Sequence, residues 1–176
     1  LSRADRRSYL ESALRQAQHL QTLISELFEL ARLDFEGYRI DAEPVQLGEL
    51  ARDVVQKLTL AAQARQVDLQ LEIEPELGLA RADIGLIERV LTNLLENALA
   101  HTQAGGRIVL SVREQDDARV LLRVSDNGSG IAADDLPRIF ERFYRANNKA
   151  RTRDDKGSGL GLAIVKRIVE LHGSEI

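Results

Sequence analysis

The chain has 176 residues, 44% of them hydrophobic and 30% charged, with a net charge of −4. That balance describes a folded globular chain with room for one ordinary domain and a smaller element, and it excludes an intrinsically disordered one. The acidic net charge makes nucleic acid an unexpected partner, and the absence of Cys removes disulfides and Cys-ligated metals and fits a reducing compartment.

Residues 5–34 read as one long helix. Leu10, Ala13, Ala17, Leu20, Ile24, Leu27 and Ala31 recur at alternating spacings of three and four, which is a heptad seam. Leu14, Leu23, Phe28 and Leu30 widen the stripe toward that of a four-helix bundle. Gly37 reads as the C-terminal cap, and a linker runs to about Pro44. Residues 45–47 suit a short edge strand and 48–64 a helix. Val67, Leu69, Leu71 and Ile73 alternate with polar residues as in a half-buried strand. Asp83 is a candidate N-cap for a helix over 84–101. Gly105-Gly106 is a turn, and residues 108–112 and 120–124 form a hairpin through a polar turn at 115–117. A short helix is expected over 134–143 and a longer one over 160–171, ended by Gly173. Mixed strands and helices in this order suggest helices layered on one face of a sheet.

Residues 146–156 show no periodicity and hold Lys149, Arg151, Arg153 and Lys156. They read either as a solvated surface loop or as a lid that closes over an anionic ligand. No apolar run approaches the ~20 residues of a membrane span, and no signal-peptide pattern opens the chain. The chain starts at Leu1 and contains no Met, so it reads as a piece of a longer protein.

Three segments carry chemistry. On the helix over 84–101, Ile87, Val90, Leu91, Leu94, Leu95 and Ala98 form the apolar side, while Asn93 and Asn97, one turn apart, lie opposite. Asn is a poor helix former, and its amide oxygen is a hard ligand suited to Mg²⁺ beside phosphates; two ordinary surface polar residues are the competing reading. Asp126-Asn127-Gly128-Ser129-Gly130 follows a strand. An ionised Asp only accepts, so it suits adenine's exocyclic amine and not guanine's carbonyl, and the glycines admit a flat base; a plain turn is the alternative. Gly157-Ser158-Gly159-Leu160-Gly161 opens a helix whose free N–H groups favour phosphate. It is not a Walker A loop, because no Gly-Lys-Ser/Thr follows.

With Phe140-Glu141-Arg142-Phe143-Tyr144-Arg145 between the two glycine segments, the set resembles sensor histidine kinases. The asparagine helix is similar to their N box, Asp126 to Gly130 to the G1 box, residues 139–145 to the F box and Gly157 to Gly161 to the G2 box. Leu23-Ile24-Ser25-Glu26-Leu27 through Ala31-Arg32-Leu33-Asp34 resembles the second helix of the dimerisation domain. The resemblance implies an α+β chain: a two-layer α/β sandwich of the Bergerat ATP-binding type over 44–176, its C-terminal strands lacking, preceded over 1–43 by part of a dimerisation domain.

The same resemblance implies Mg²⁺ and ATP as cofactors. Asn97, with Asn93, would hold the metal, and Asp126 the adenine, with Gly128 and Gly130 shaping the pocket. Arg145 would reach the γ-phosphate, acting with Asn93 in catalysis. Gly157, Gly159, Leu160 and Gly161 would offer amides to phosphate, and His101, Ile131, Tyr144, Lys149 and Ser158 would complete the nucleotide site. The activity implied is γ-phosphoryl transfer to a His on a first dimerisation helix, then to an Asp of a response regulator receiver domain. A homodimer through the helix bundle and a cytoplasmic location, as the cytoplasmic portion of a membrane-bound sensor, go with it.

The departures from the pattern are specific. Ala100 stands where the family often has Lys or Arg. Asn93 stands where water-activating members of the wider superfamily carry Glu, which favours transfer over hydrolysis. No His followed by an acid and then Pro occurs, so the phospho-acceptor lies outside this chain. His19 lies beside the seam, and His172 reads as structural. The alternatives are a non-catalytic nucleotide-binding and dimerisation module, or an ATP-hydrolysing clamp of the same superfamily.

Overall fold

Helix α1 spans Arg3–Leu33, and its seam faces outward. Leu10, Leu14, Leu20, Ile24, Leu27 and Phe28 are 47–73% exposed, far more than apolar residues of a packed helix. The computed structural model describes residues 3–115, 119–145 and 157–176, residues 3, 4 and 8 by their backbone alone. The expected lid over 146–156, with Lys149, and most of the expected hairpin turn lie outside them.

The last turn of α1 behaves differently from the rest. Leu30 and Leu33 are buried, packed with Leu160, Ile164, Val165 and Ile168. Leu30 therefore serves an intramolecular contact, not the bundle stripe to which the spacing assigned it. Gly37 is not the helix cap either. The helix ends at Leu33, and Gly37 sits in a turn closed by the Tyr38 N–H donating to the Phe35 carbonyl at 2.8 Å.

The sandwich follows. Strand β1 is Glu43–Val45, helix α2 Leu47–Ala64, strand β2 Asp68–Ile73, strand β3 Ala80–Ala82 and helix α3 Ile84–His101. Strands β4, Arg107–Gln115, and β5, Arg119–Asp126, form the hairpin, and helix α4, Gly161–Leu171, comes last. β4 is central, parallel to β2 and antiparallel to β5, with Leu71 opposite Leu110 and Leu110 opposite Val124. Parallel neighbours need a crossover, and α3 lies within it. The edge strand expected at 45–47 is shifted to Glu43–Val45, because Leu47 enters the core as the first residue of α2.

Ile108, Leu110 and Val112 alternate along β4 and are fully buried. They meet Leu50, Ala51 and Val54 of α2 and Ile87, Leu91, Leu95 and Ala98 of α3. Each such Leu or Ile stabilises the fold by about 2 kcal/mol through area removed from water. α3 is apolar on a second side, where Leu86, Val90 and Leu94 face α4 and the end of α1. This two-sided burial fixes α3 between the sheet and α4.

The helix expected over 134–143 is reduced to one 3₁₀ turn, Leu136–Arg138, with Pro137 inside it. Pro137 has no N–H to donate, and the following bonds run three residues back, from Glu141 to Arg138 and from Tyr144 to Glu141. Phe143, at φ +60°, prevents continuation.

Asp83 caps α3 as expected and does more. One carboxylate oxygen accepts from the Leu86 N–H at 3.1 Å and the other from the Asp41 N–H at 3.1 Å. Its own N–H donates to His172 Nε2 at 3.1 Å, so Nδ1 carries the proton and donates to the Ile168 carbonyl at 2.8 Å. His172 is thus a structural bridge between the end of α4 and the start of α3. Asp83→Ala should lower stability by about 1–2 kcal/mol, read as a shifted urea midpoint. Asp83→Asn, which keeps an acceptor for the Leu86 N–H but not for the Asp41 N–H, should recover part of it, and equal losses in the two variants would rule out the cap as the cause.

Candidate functional site

The four motif segments meet around the ends of α3 and α4. At the end of α3, the Ser129 N–H donates to the His101 carbonyl at 3.2 Å. A Cβ on Gly128 would lie 2.3 Å from that same carbonyl oxygen. The glycine at 128 is therefore demanded by the backbone of His101, a reason independent of any base. Asp126 Oδ1 accepts from the Gly128 N–H at 2.9 Å, and Asn127 Oδ1 accepts from the Arg107 N–H at 2.8 Å. These two bonds hold the turn after β5 in shape. The Asp126 carboxylate is exposed and keeps further acceptor capacity. Gly130 turns the chain at φ +67° with nothing within 4 Å of its missing Cβ, and Ile131 beside it is 46% exposed.

At the middle of α3, the two asparagines part ways. Asn97 is exposed, whereas Asn93 is 8% exposed and donates from Nδ2 to the Gly161 carbonyl at 3.3 Å. They do not share an open side, since the start of α4 covers Asn93. Its amide oxygen lies 3.8 Å from the Cβ position of Gly161, at the mouth of α4. The first-turn N–H groups of α4 have no partner within the helix. The Leu160 N–H, by contrast, donates to Ser158 Oγ at 3.0 Å, so this amide, expected to meet phosphate, is engaged by its neighbour.

The third junction joins the aromatic segment to the second glycine segment. The Phe143 N–H donates to the Gly159 carbonyl at 2.9 Å. Gly159 lies at φ +74°, and a Cβ there would come within 2.9 Å of the Phe143 backbone. Tyr144 Oη donates to Asp135 Oδ1 at 2.5 Å, and the Arg138 guanidinium lies 4.2 Å from the ring centroid. The hydrogen bond to Asp135 pushes the phenol above its ordinary pKa. Arg145 follows and is exposed.

The site is braced against α1 by charge. Arg142 and Arg167 both reach Asp34, and Arg167 Nε donates to the Leu33 carbonyl at 3.1 Å. Arg89 grips Glu29 through Nε at 3.1 Å and Nη2 at 3.0 Å. Sequence reading overlooked these bridges, which span up to 134 residues and leave no local signal. It also overlooked Asn127 as the residue that pins the turn, although an Asn before Gly after a strand was visible.

Among the described residues, no cluster of three or more His, Asp or Glu is gathered for a metal, and no helix is long and apolar enough to cross a membrane. The amide oxygens of Asn93 and Asn97 are hard donors of a kind that fits an ion that keeps several waters and shares its ligands with phosphate.

Residues 82–176 match the family model described as histidine kinase-, DNA gyrase B-, and HSP90-like ATPase. The chain is 40% identical over 89% of its length to the alginate biosynthesis sensor protein KinB of Pseudomonas aeruginosa, covering 25% of that protein. It is 34% identical over its full length to drug sensory protein A of Synechocystis, covering 28% of it. The chain thus spans about a quarter of the length of these curated relatives. Among solved structures, full-length ShkA in complex with AMPPNP superposes with a TM-score of 0.81 at 30% identity, over 96% of this chain and 34% of that one.

Proposed function

The chain belongs to the histidine kinase-, DNA gyrase B- and HSP90-like ATPase family, and from that premise we propose that it is the ATP-binding part of a sensor histidine kinase of a two-component system. One observation supports this most: the four motif segments touch pairwise, through Asn93 and Gly161, His101 and Ser129, and Phe143 and Gly159. Residues 44–176 form the catalytic unit and 1–43 contribute to a dimerisation bundle. The outward apolar stripe of α1 fits a homodimer of the kind this class of sensor uses.

Asp126 takes the adenine amine in the pocket opened by Gly128, Gly130 and Ile131, near His101. Gly157, Gly159 and the first turn of α4 from Gly161 face the phosphates, and Arg145 and Lys149 supply positive charge at the γ end. Asn97, with the amide oxygen of Asn93, would hold Mg²⁺, which neutralises phosphate charge when bound. Phosphoryl transfer demands positioning and charge neutralisation more than covalent chemistry by the protein, and no carboxylate stands at position 93 to activate water. The acceptor is a His on a helix supplied from outside this chain, and the next acceptor is an Asp of a response regulator. The setting is cytoplasmic.

The test supplies γ-labelled ATP and a polypeptide bearing a His-acid-Pro helix. Acid-labile, base-stable label on that polypeptide is expected, with none on this chain and slow phosphate release when the acceptor is omitted. Rapid hydrolysis without acceptor would replace the kinase reading with a hydrolysing clamp.

A further inference from the structure

We infer that Asp135 and Tyr144 form a clasp that positions the γ-phosphate end of the site, with Tyr144 acting through its backbone neighbours Phe143 and Arg145 and not by touching the nucleotide. This rests on the nucleotide site proposed above.

The segment between them has no α-helix to hold it, only a 3₁₀ turn and three-residue bonds. Its shape depends on side chains. The Tyr144 hydroxyl reaches back nine residues to Asp135, and the Arg138 guanidinium covers the ring face. Arg138 is itself steadied by Glu141, Nε to Oε2 at 3.1 Å. These four side chains fold the segment onto itself and engage the one proton Tyr144 could donate to an anionic ligand.

The clasp fixes two things at once. Phe143 sits at φ +60°, a backbone state that an aromatic residue keeps only when its surroundings impose it. It is held on one side by its N–H on the Gly159 carbonyl and on the other by the tied Tyr144. The Gly159 Cβ position lies 2.9 Å from the Phe143 backbone and 3.1 Å from the Tyr144 carbonyl. The Phe143 N–H bond to the Gly159 carbonyl therefore transmits a shift of residues 143 and 144 to Gly159, and with it to the glycine segment that opens α4. Arg145 is the next residue along. The adenine side has separate supports, Ser129 on His101 and Asn127 on Arg107, so loosening the clasp should spare it.

This division makes the clasp testable against a purely structural tyrosine. The full chain is titrated with AMP-PNP and with ADP in Mg²⁺, and melting temperatures are recorded alongside. Tyr144→Phe should weaken AMP-PNP roughly three- to tenfold, the loss of one hydrogen bond's worth of positioning, while ADP stays within about twofold. Asp135→Asn, which keeps an oxygen acceptor, should bind AMP-PNP like the parent chain. Asp135→Ala should match Tyr144→Phe, and the double variant should be no worse than either. An equal loss for both nucleotides, or no loss for either, overturns the clasp. A parent chain that binds neither nucleotide overturns the site itself, and the inference with it.

Discussion

Asn97→Ala is expected to weaken Mg²⁺-dependent nucleotide binding by roughly 100-fold or more, about 2.7 kcal/mol, without loss of fold. Asn97 is exposed on α3 and takes no part in either apolar cluster, so its removal leaves no cavity. A magnesium ion in such a site keeps several waters and few protein ligands, so each of those ligands matters. Asn93→Ala makes the informative contrast. It removes the bond to the Gly161 carbonyl, in a position 8% exposed, and should lower both affinity and melting temperature. The measurement is calorimetric titration with AMP-PNP, in Mg²⁺ and in chelator. Affinity in Mg²⁺ unchanged by Asn97→Ala would show that the metal is held elsewhere.

The same pair of asparagines shows where reading a sequence stops. Their four-residue spacing placed them on one helix face, and the bounds of α3 were legible residue for residue because Asp83 caps it. Nothing local announces that α4, 68 residues later, covers Asn93 and leaves Asn97 open. Leu30 was misassigned for the same reason. It fits the heptad stripe of α1, yet its neighbours are Ile164 and Ile168 of α4. Strand β3 was invisible because three residues carry no period, and Pro137 was underrated in the segment that became a 3₁₀ turn. The order of the four motif segments was legible, but the reason for some of their residues was not. Ser158 engages the Leu160 amide that was expected to meet phosphate, and Gly128 answers to a backbone carbonyl.

Gly128→Ala is therefore expected to be among the most damaging methyl additions in the chain, on the order of 3 kcal/mol. The new Cβ would lie 2.3 Å from the His101 carbonyl oxygen and 2.9 Å from its carbon, and neither is a flexible side-chain tip. His101 cannot recede, since the turn before it is anchored by Leu95, Ala98 and Leu99 in the main core. The turn after β5 must yield instead, which breaks the Ser129 bond to His101 and turns Asp126 away from its Gly128 N–H. Nucleotide binding should then fail even where the protein stays folded. Gly130→Ala separates contact from backbone strain. Its Cβ would meet nothing within 4 Å, and only φ +67° opposes it, a cost of about 1–2 kcal/mol. Gly105→Ala, at φ +82° with open space around it, repeats the strain-only case in the turn that follows α3. Urea midpoints of the three variants should rank Gly128→Ala well below the other two. Gly128 is not left-handed, so if its variant falls no further than the two strain-only ones, the contact with α3 carries little energy and the close approach of the two segments loses its energetic meaning.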